Sequence, residues 1–256
     1  MYQIIQYIKF LIRSTNQHGV HSPFVYNLVT RCFYDKTNYD VYKYILNYKK
    51  DLLKNKTNIK ITDLGAGSQV MKHKERSISS MAKNAGSTLK KAKLLYRLVN
   101  YFNPENILEL GTSLGIATHA MSLANQETKI TTIEGCPNIS EFSKANFKKH
   151  HLNNIDVKIG DFSNIINRLL SNKYDLIFFD GNHQKEATLE YFETLLQTIN
   201  NDSIFIFDDI YWSKEMTEAW KSIKQHPKVT VTIDTFFWGF VFFRKEQVKE
   251  HFTIRV

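Results

Sequence analysis

Cysteine, proline and glycine are all scarce in this chain, and each shortage excludes something. Two cysteines, Cys32 and Cys136, make no disulfide framework, so a reducing, cytoplasmic setting is expected. Four prolines and ten glycines in 256 residues argue against a long flexible linker. No apolar run approaches the roughly 18 residues that a membrane span needs. The first residues, Met1-Tyr-Gln-Ile-Ile-Gln-Tyr-Ile-Lys9, lack the basic-then-apolar order and the small-residue cleavage site of a secretion signal. Acids are outnumbered: 25 against 34 Lys and Arg, a net charge of +9. Part of the excess clusters at Lys72, Lys74, Arg76, Lys83, Lys90, Lys91 and Lys93. A solvated basic face is the plain explanation; a nucleic acid, an anionic membrane surface or an acidic substrate would also suit it.

What is present is a regular alternation. Residues 89–102 carry Leu94, Leu95, Leu98 and Phe102 at helical spacing, and Pro104 ends that helix. Strand-like runs follow at 106–110, 129–134, 155–159, 174–180 and 203–208. Helical patterns fall between them at 115–125, 138–150, 163–171 and 186–200. Strands alternating with helices of this length predict βαβ units and a parallel sheet. Runs such as Leu176-Ile-Phe-Phe179 are apolar on both faces, as in a sheet covered on both sides. The tail breaks the alternation. Residues 228–235 and 240–244 leave no room for a helix and predict an antiparallel pair hinged at Trp238-Gly239. The fold class is therefore α/β, a Rossmann-like doubly wound sheet, mostly parallel with a C-terminal antiparallel strand.

Three parts are expected: a helical extension over 1–58, a connecting strand and basic loop over 59–85, and the α/β domain over 86–256. In the extension Ile4, Ile5, Ile8, Leu11 and Ile12 form an apolar stripe opposite Gln3, Gln6, Lys9 and Arg13. Packing against the α/β domain is its expected use, with membrane-surface docking or a homodimer interface as the others.

The run ending at 110 opens into Glu109-Leu-Gly-Thr-Ser-Leu-Gly115. Gly111 permits a tight turn, and Gly115 lets the next helix start close to a ligand. These glycines stand four apart, whereas a dinucleotide fingerprint needs its first two glycines two apart. The segment resembles motif I of class I S-adenosylmethionine (SAM)-dependent methyltransferases, E-x-G-x-x-x-G. The resemblance covers residues 86–256, and the strand after motif I ends in Glu134, 25 residues beyond Glu109. It implies SAM as cofactor, held by Glu109, Gly111, Thr112, Ser113 and Gly115, with Glu134 on the ribose hydroxyls. The following strand end, Gly160-Asp161-Phe162, is similar to the adenine-contacting step. Asp63-Leu-Gly-Ala-Gly-Ser68 looks like a second nucleotide loop, but basic residues follow it (Lys72, His73, Lys74, Arg76) and no strand ends in an acid at the right distance.

Later strand ends carry Asp180-Gly-Asn-His183 and Asp208-Asp209. In an open α/β sheet, ligands bind outside the carboxyl ends of the strands. Three carboxylates gathered there would repel, and a divalent cation such as Mg²⁺ would relieve them. The spacing resembles metal-dependent O-methyltransferases. In that group the acids corresponding to Asp180, Asp208 and Asp209 bind metal, and the His corresponding to His183 is the proposed base. Catechol-type relatives have Asp-Asn where this chain has Asp208-Asp209. Phe162, Tyr211, Trp212, Phe237 and Trp238 are candidate pocket walls, and His18-Gly-Val-His-Ser-Pro-Phe24 is a candidate lid. The expected activity is SAM-dependent methyl transfer, catalysed through His183 and Asp180, to a hydroxyl oxygen of a small-molecule, glycan or lipid-linked acceptor. An RNA methyltransferase or a non-catalytic SAM-binding protein are the alternatives.

Overall fold

The computed structural model describes residues 1–62, 75–84 and 86–256. The Asp63–Ser68 loop, and Lys72, His73 and Lys74 of the basic cluster, lie outside the described residues. In chain order the helices and strands begin with α1 (Tyr2–Arg13), α2 (Pro23–Leu28), α3 (Tyr42–Lys54), β1 (Asn58–Lys60), β2 (Glu75–Ser77), α4 (Ile78–Asn84) and α5 (Leu89–Phe102). Next come β3 (Asn106–Leu110), α6 (Ile116–Ala124), β4 (Lys129–Glu134), α7 (Pro137–Lys149), β5 (Ile155–Ile159) and α8 (Phe162–Leu169). The chain closes with β6 (Leu176–Phe179), α9 (Lys185–Leu195), β7 (Ile204–Asp208), α10 (Lys214–Gln225), β8 (Val231–Asp234), β9 (Trp238–Phe242) and β10 (Glu250–Thr253). The fold is Rossmann-like: a mostly parallel sheet flanked by helices, with an N-terminal helix and C-terminal antiparallel strands.

Two compact units divide the chain, Asp35–Ile165 and Met1–Tyr34 with Ile166–Val256. These bounds differ from the expected extension over 1–58, and α3 is the reason. Its Tyr42, Ile45, Tyr48 and Leu52 are buried in one cluster with Leu114, Ile116, Ala120 and Ile139.

In the Asp35–Ile165 unit, β3, β4 and β5 are parallel, with Glu109 opposite Thr132 and Glu134 opposite Ile159. Helix α5 starts at Thr88, whose hydroxyl accepts from Lys91 N at 3.2 Å, and stops at Asn103 in the left-handed region (φ 46). Of the expected stripe, Leu94, Leu95 and Leu98 are buried and Phe102 is half-buried, with Ala92 and Val99 joining the inward side. The short β1 pairs antiparallel with β2.

In the other unit the strand order is β6-β7-β9-β8-β10. Strands β6 and β7 are parallel, β9 runs antiparallel to both β7 and β8, and β10 is parallel to β8. The expected hinge at Trp238-Gly239 is corrected here: both residues lie inside β9, with Gly239 opposite Asp234 and Phe207. The turn is at Thr235–Phe237, where Phe236 takes φ 72 and Asp234 Oδ1 accepts from Phe236 N at 2.9 Å. Gly239 serves packing instead. A Cβ there would stand 2.7 Å from the Trp220 ring. Ser213 caps α10, accepting from Met216 N at 3.0 Å, and the helix buries Met216, Ala219, Trp220 and Ile223.

Helix α1 does not use its apolar stripe for packing. It is anchored by Tyr2, whose hydroxyl donates to Thr217 Oγ1 at 2.8 Å, and by Tyr7 and Phe10 against Phe236. Ile4, Ile5, Ile8, Leu11 and Ile12 are exposed. No helix among the described residues is long and apolar enough to cross a membrane.

Candidate active site

At the end of β3, Glu109 is fully buried. Its Oε2 accepts from the hydroxyls of Thr118 at 2.5 Å and Thr132 at 2.6 Å, the latter delivered by the β3–β4 register. Its Oε1 is buried with no hydrogen-bond partner among the described residues. Burial pushes this carboxyl up to about 7; the two threonine hydroxyls pull it down and Glu134 pushes it further up.

Beyond Glu109 the chain folds over the end of β4. Gly111 has φ 108, and the amides of Gly111 and Thr112 both donate to Ile133 O, at 2.9 and 3.2 Å. Ser113 takes φ 48, uncommon for a residue with a side chain. Its amide donates to Glu134 Oε2 at 2.8 Å, and Cys136 N donates to Glu134 Oε1 at 2.9 Å. Glu134 thus holds the motif loop at the end of its own strand. Gly160 N donates to Glu134 O at 3.0 Å, which brings the end of β5 alongside. Asp161 caps α8: Oδ1 accepts from Asn164 N at 3.1 Å and its carbonyl accepts from Ile165 N at 3.1 Å. Phe162 is the first residue of that helix. The carboxyl ends of β3, β4 and β5 therefore carry Glu109, Gly111, Thr112, Ser113, Glu134 and Asp161, where an open α/β sheet binds its ligands.

Gly115 also answers to a packing demand. A Cβ at 115 would meet the Phe147 ring at 2.4 Å and Tyr48 OH at 3.2 Å, and its φ is 73. Tyr48 supports the loop from below, donating to Leu114 O at 2.8 Å and stacking on His119 at 4.3 Å. Burial, with His150 nearby, pushes the His119 ring down to about 3, so it is neutral at physiological pH. Gly115→Ala combines left-handed strain with overpacking. It should cost about 3 kcal/mol and lower the melting temperature by roughly 6–12 °C, measured by calorimetry. An unchanged melting temperature would mean that Phe147 swings away freely.

In the Met1–Tyr34 and Ile166–Val256 unit, Asp180 directly follows β6 and Asp208 ends β7. The β6–β7 register runs to Phe179 opposite Phe207, the residues just before Asp180 and Asp208. Asp209 comes one residue later, in the left-handed region at φ 53, its amide donating to Phe237 O at 2.8 Å. Among the described residues no three carboxylate, imidazole or thiol groups come together as a metal-holding set. His183 is half-buried in the loop that leads into α9. Before it, Asn182 takes φ 51, donates Nδ2–H to Tyr191 OH at 3.0 Å, and keeps a buried Oδ1 with no partner among the described residues. Left-handed residues thus occur in the loops after β3, β6 and β7 (Ser113, Asn182, Asp209), as they do at Asn103, His151 and Phe236.

Residues 108–210 match a family model described as a methyltransferase domain. That segment, from β3 to the loop after β7, is similar to a methyltransferase domain. Solved structures share its fold. S-adenosylhomocysteine (SAH)-bound methyltransferase PaMTH1 from Podospora anserina superposes with a TM-score of 0.60 at 15% identity, over 88% of this chain and 97% of that one. The O-methyltransferase from Bacillus cereus in complex with SAH gives 0.53 at 16% identity, over 83% and 93%. The O-methyltransferase TomG from Streptomyces achromogenes, involved in tomaymycin synthesis and in complex with SAM, gives 0.53 at 18%, over 62% and 80%.

Around the matched segment the candidate wall residues separate. Tyr211 is buried and donates to Asp234 Oδ2 at 2.5 Å; burial first, and Asp234 second, push its hydroxyl pKa up. Trp238 is buried against Phe178 and Phe240, whereas Phe237 is exposed. Trp212 is half-buried, its carbonyl accepting from Gln3 Nε2 at 3.4 Å. The His18–Phe24 segment is a turn and a helix cap, with Asn16 Oδ1 accepting from His18 N and Ser22 Oγ from Val25 N. Sequence reasoning missed Tyr48 and Asn182. Tyr48 lies 66 positions from the loop it supports and left no local signal. Asn182 had one: asparagine after glycine favours the left-handed backbone.

Proposed function

We propose that this chain transfers the methyl group of SAM to a hydroxyl oxygen of a small-molecule, glycan or lipid-linked acceptor. The observation that carries this is the loop after β3: a positive-φ backbone at Gly111 and Ser113, tied to Glu134, beside a buried Glu109 oxygen with no partner among the described residues. An acceptor so placed suits a cofactor that brings cationic donors, and Glu134 suits the ribose hydroxyls. Asp161 and Phe162 follow on the next strand end, for the adenine. SAM supplies a methyl group already activated on a sulfonium. The chain's own task is to align the acceptor oxygen and remove its proton. His183 is the proposed base, with Asp180 beside it in the same loop. Asp180, Asp208 and Asp209 are the carboxylates that a divalent cation would use. Without a three-ligand set among the described residues, no step is assigned to a cation.

Titration calorimetry with SAM and SAH, with Mg²⁺ and with a chelator, tests this proposal. Micromolar binding, weakened at least about tenfold in Glu134→Ala and less in Glu134→Gln, is expected. A Mg²⁺-dependent heat lost in Asp208→Ala would add the cation. No heat from either nucleoside in any condition would overturn the proposal. An RNA acceptor is the second reading, favoured by the net charge of +9; RNA binding that falls steeply with salt would support it.

A further inference from the structure

Helix α1 buries Phe10 and turns Gln6, Lys9 and Arg13 toward α10, Lys9 and Arg13 remaining exposed. Gln6, Lys9 and Arg13 line a cavity of about 310 Å³ shared with α10, whereas Ile4, Ile5, Ile8, Leu11 and Ile12 face out, Ile12 being 79% exposed and Ile4 65%. An amphipathic helix that folded only to complete a core would point the other way. The cavity is basic. Lys9, Arg13, Lys214, Lys221 and Lys224 line it, and its acid, Glu218, is held by Lys185 at 3.0 Å. Its wall includes Trp220, whose buried indole N–H has no acceptor among the described residues. Burial holds Lys224 below the usual lysine range; Arg13 and Lys221 lower it further, and Asp234 opposes them. The cavity thus has donors and positive charge in excess of acceptors.

We propose that α1 docks this protein in the plane of an anionic lipid bilayer, its isoleucine face entering the acyl boundary and the α1–α10 cavity taking lipid phosphate. Two weak attractions then act together, buried apolar area and basic residues near a negative surface, as stable peripheral binding requires. Each lysine or arginine close to such a surface adds about fivefold in affinity. Charge also argues against a second copy as the cover. Each chain carries a net charge of +9, which opposes self-association.

Co-sedimentation with phosphatidylcholine vesicles, plain or with roughly 30% phosphatidylglycerol, is the test. The protein should bind the anionic vesicles, bind plain ones weakly, and release at high salt. Ile4→Ser/Ile12→Ser and Lys214→Glu/Lys221→Glu should each reduce binding at least about tenfold at unchanged melting temperature, all four sites being exposed. Failure to bind anionic vesicles, or binding by either variant equal to the parent's, overturns the proposal. A calorimetric heat with inorganic phosphate but no vesicle binding would give the cavity to a free anion and also overturn it. So would a dimer in sedimentation velocity that Ile4→Ser/Ile12→Ser dissociates.

Discussion

Replacing His183 with alanine should lower turnover by about 10²–10⁴ while leaving SAM affinity unchanged within about twofold. A sulfonium methyl needs no further activation, so the barrier that remains for the protein lies in the acceptor: a hydroxyl attacks poorly until its proton leaves. His183 stands in the loop between β6 and α9, held by left-handed Asn182 before it and by Gln184, whose amide donates to Asn182 O at 2.6 Å. As the proposed base, its imidazole would take that proton and return it to water. SAH release, measured over a panel of hydroxylated acceptors, reads the loss. The pH profile separates a base from a structural residue. In His183→Ala the residual rate should climb with pH across roughly 6 to 9, as hydroxide replaces the ring. A variant within about threefold of the parent, with an unchanged profile, would remove His183 from the chemistry.

Local pattern was enough wherever a segment's burial is decided by its own residues. Strand β3 falls at the expected 106–110, β7 within the expected 203–208 and α5 at 89–102, because runs of apolar residues or a capped amphipathic stripe specify them. Strand β10 went unseen for the opposite reason. Glu250-His-Phe-Thr253 buries only Phe252, and its pairing with β8 supplies what its composition lacks. Helix α10 had its signals, Ser213 as cap and Met216, Ala219, Trp220 and Ile223 on one face, diluted by five charged residues. Gly239 looked like a hinge because glycine often is one; its true constraint is the Trp220 ring, which comes from another element. The same limit applied at the site. Motif I and the acids at the strand ends were legible as types and spacings. That Asp209 would turn left-handed, or that Asp161 would spend Oδ1 on capping α8, depends on backbone geometry that spacing does not encode. Helix α1 is the sharpest case, since its periodicity was right and the side it presents to the protein was the reverse of the expected one.

Glu109 should make stability fall as pH rises, the reverse of an ordinary paired carboxylate. In the unfolded chain it titrates near 4.5; in the folded one burial raises it to about 7. Between those values the native state keeps a proton that the unfolded state has released, so stability declines with pH. The contribution is complete below about 4.5 and lost as pH passes through about 7, a total on the order of 3 kcal/mol. Glu109→Gln removes the titration and keeps the side chain's shape. Its stability relative to the parent should therefore improve by about 3 kcal/mol between pH 5 and pH 8, read from urea midpoints. A parallel pH response in both proteins would mean that the Thr118 and Thr132 hydroxyls already keep the folded carboxylate ionised. The same group links stability to the proposed cofactor. SAM carries positive charge, and positive charge entering this loop favours the carboxylate. Binding near pH 7 should therefore release a fraction of a proton, seen as a calorimetric enthalpy that varies with the ionisation heat of the buffer and becomes buffer-independent in Glu109→Gln. Buffer-independent binding in the parent would leave Glu109 as a structural acid, its orphaned oxygen filled by something other than the cofactor.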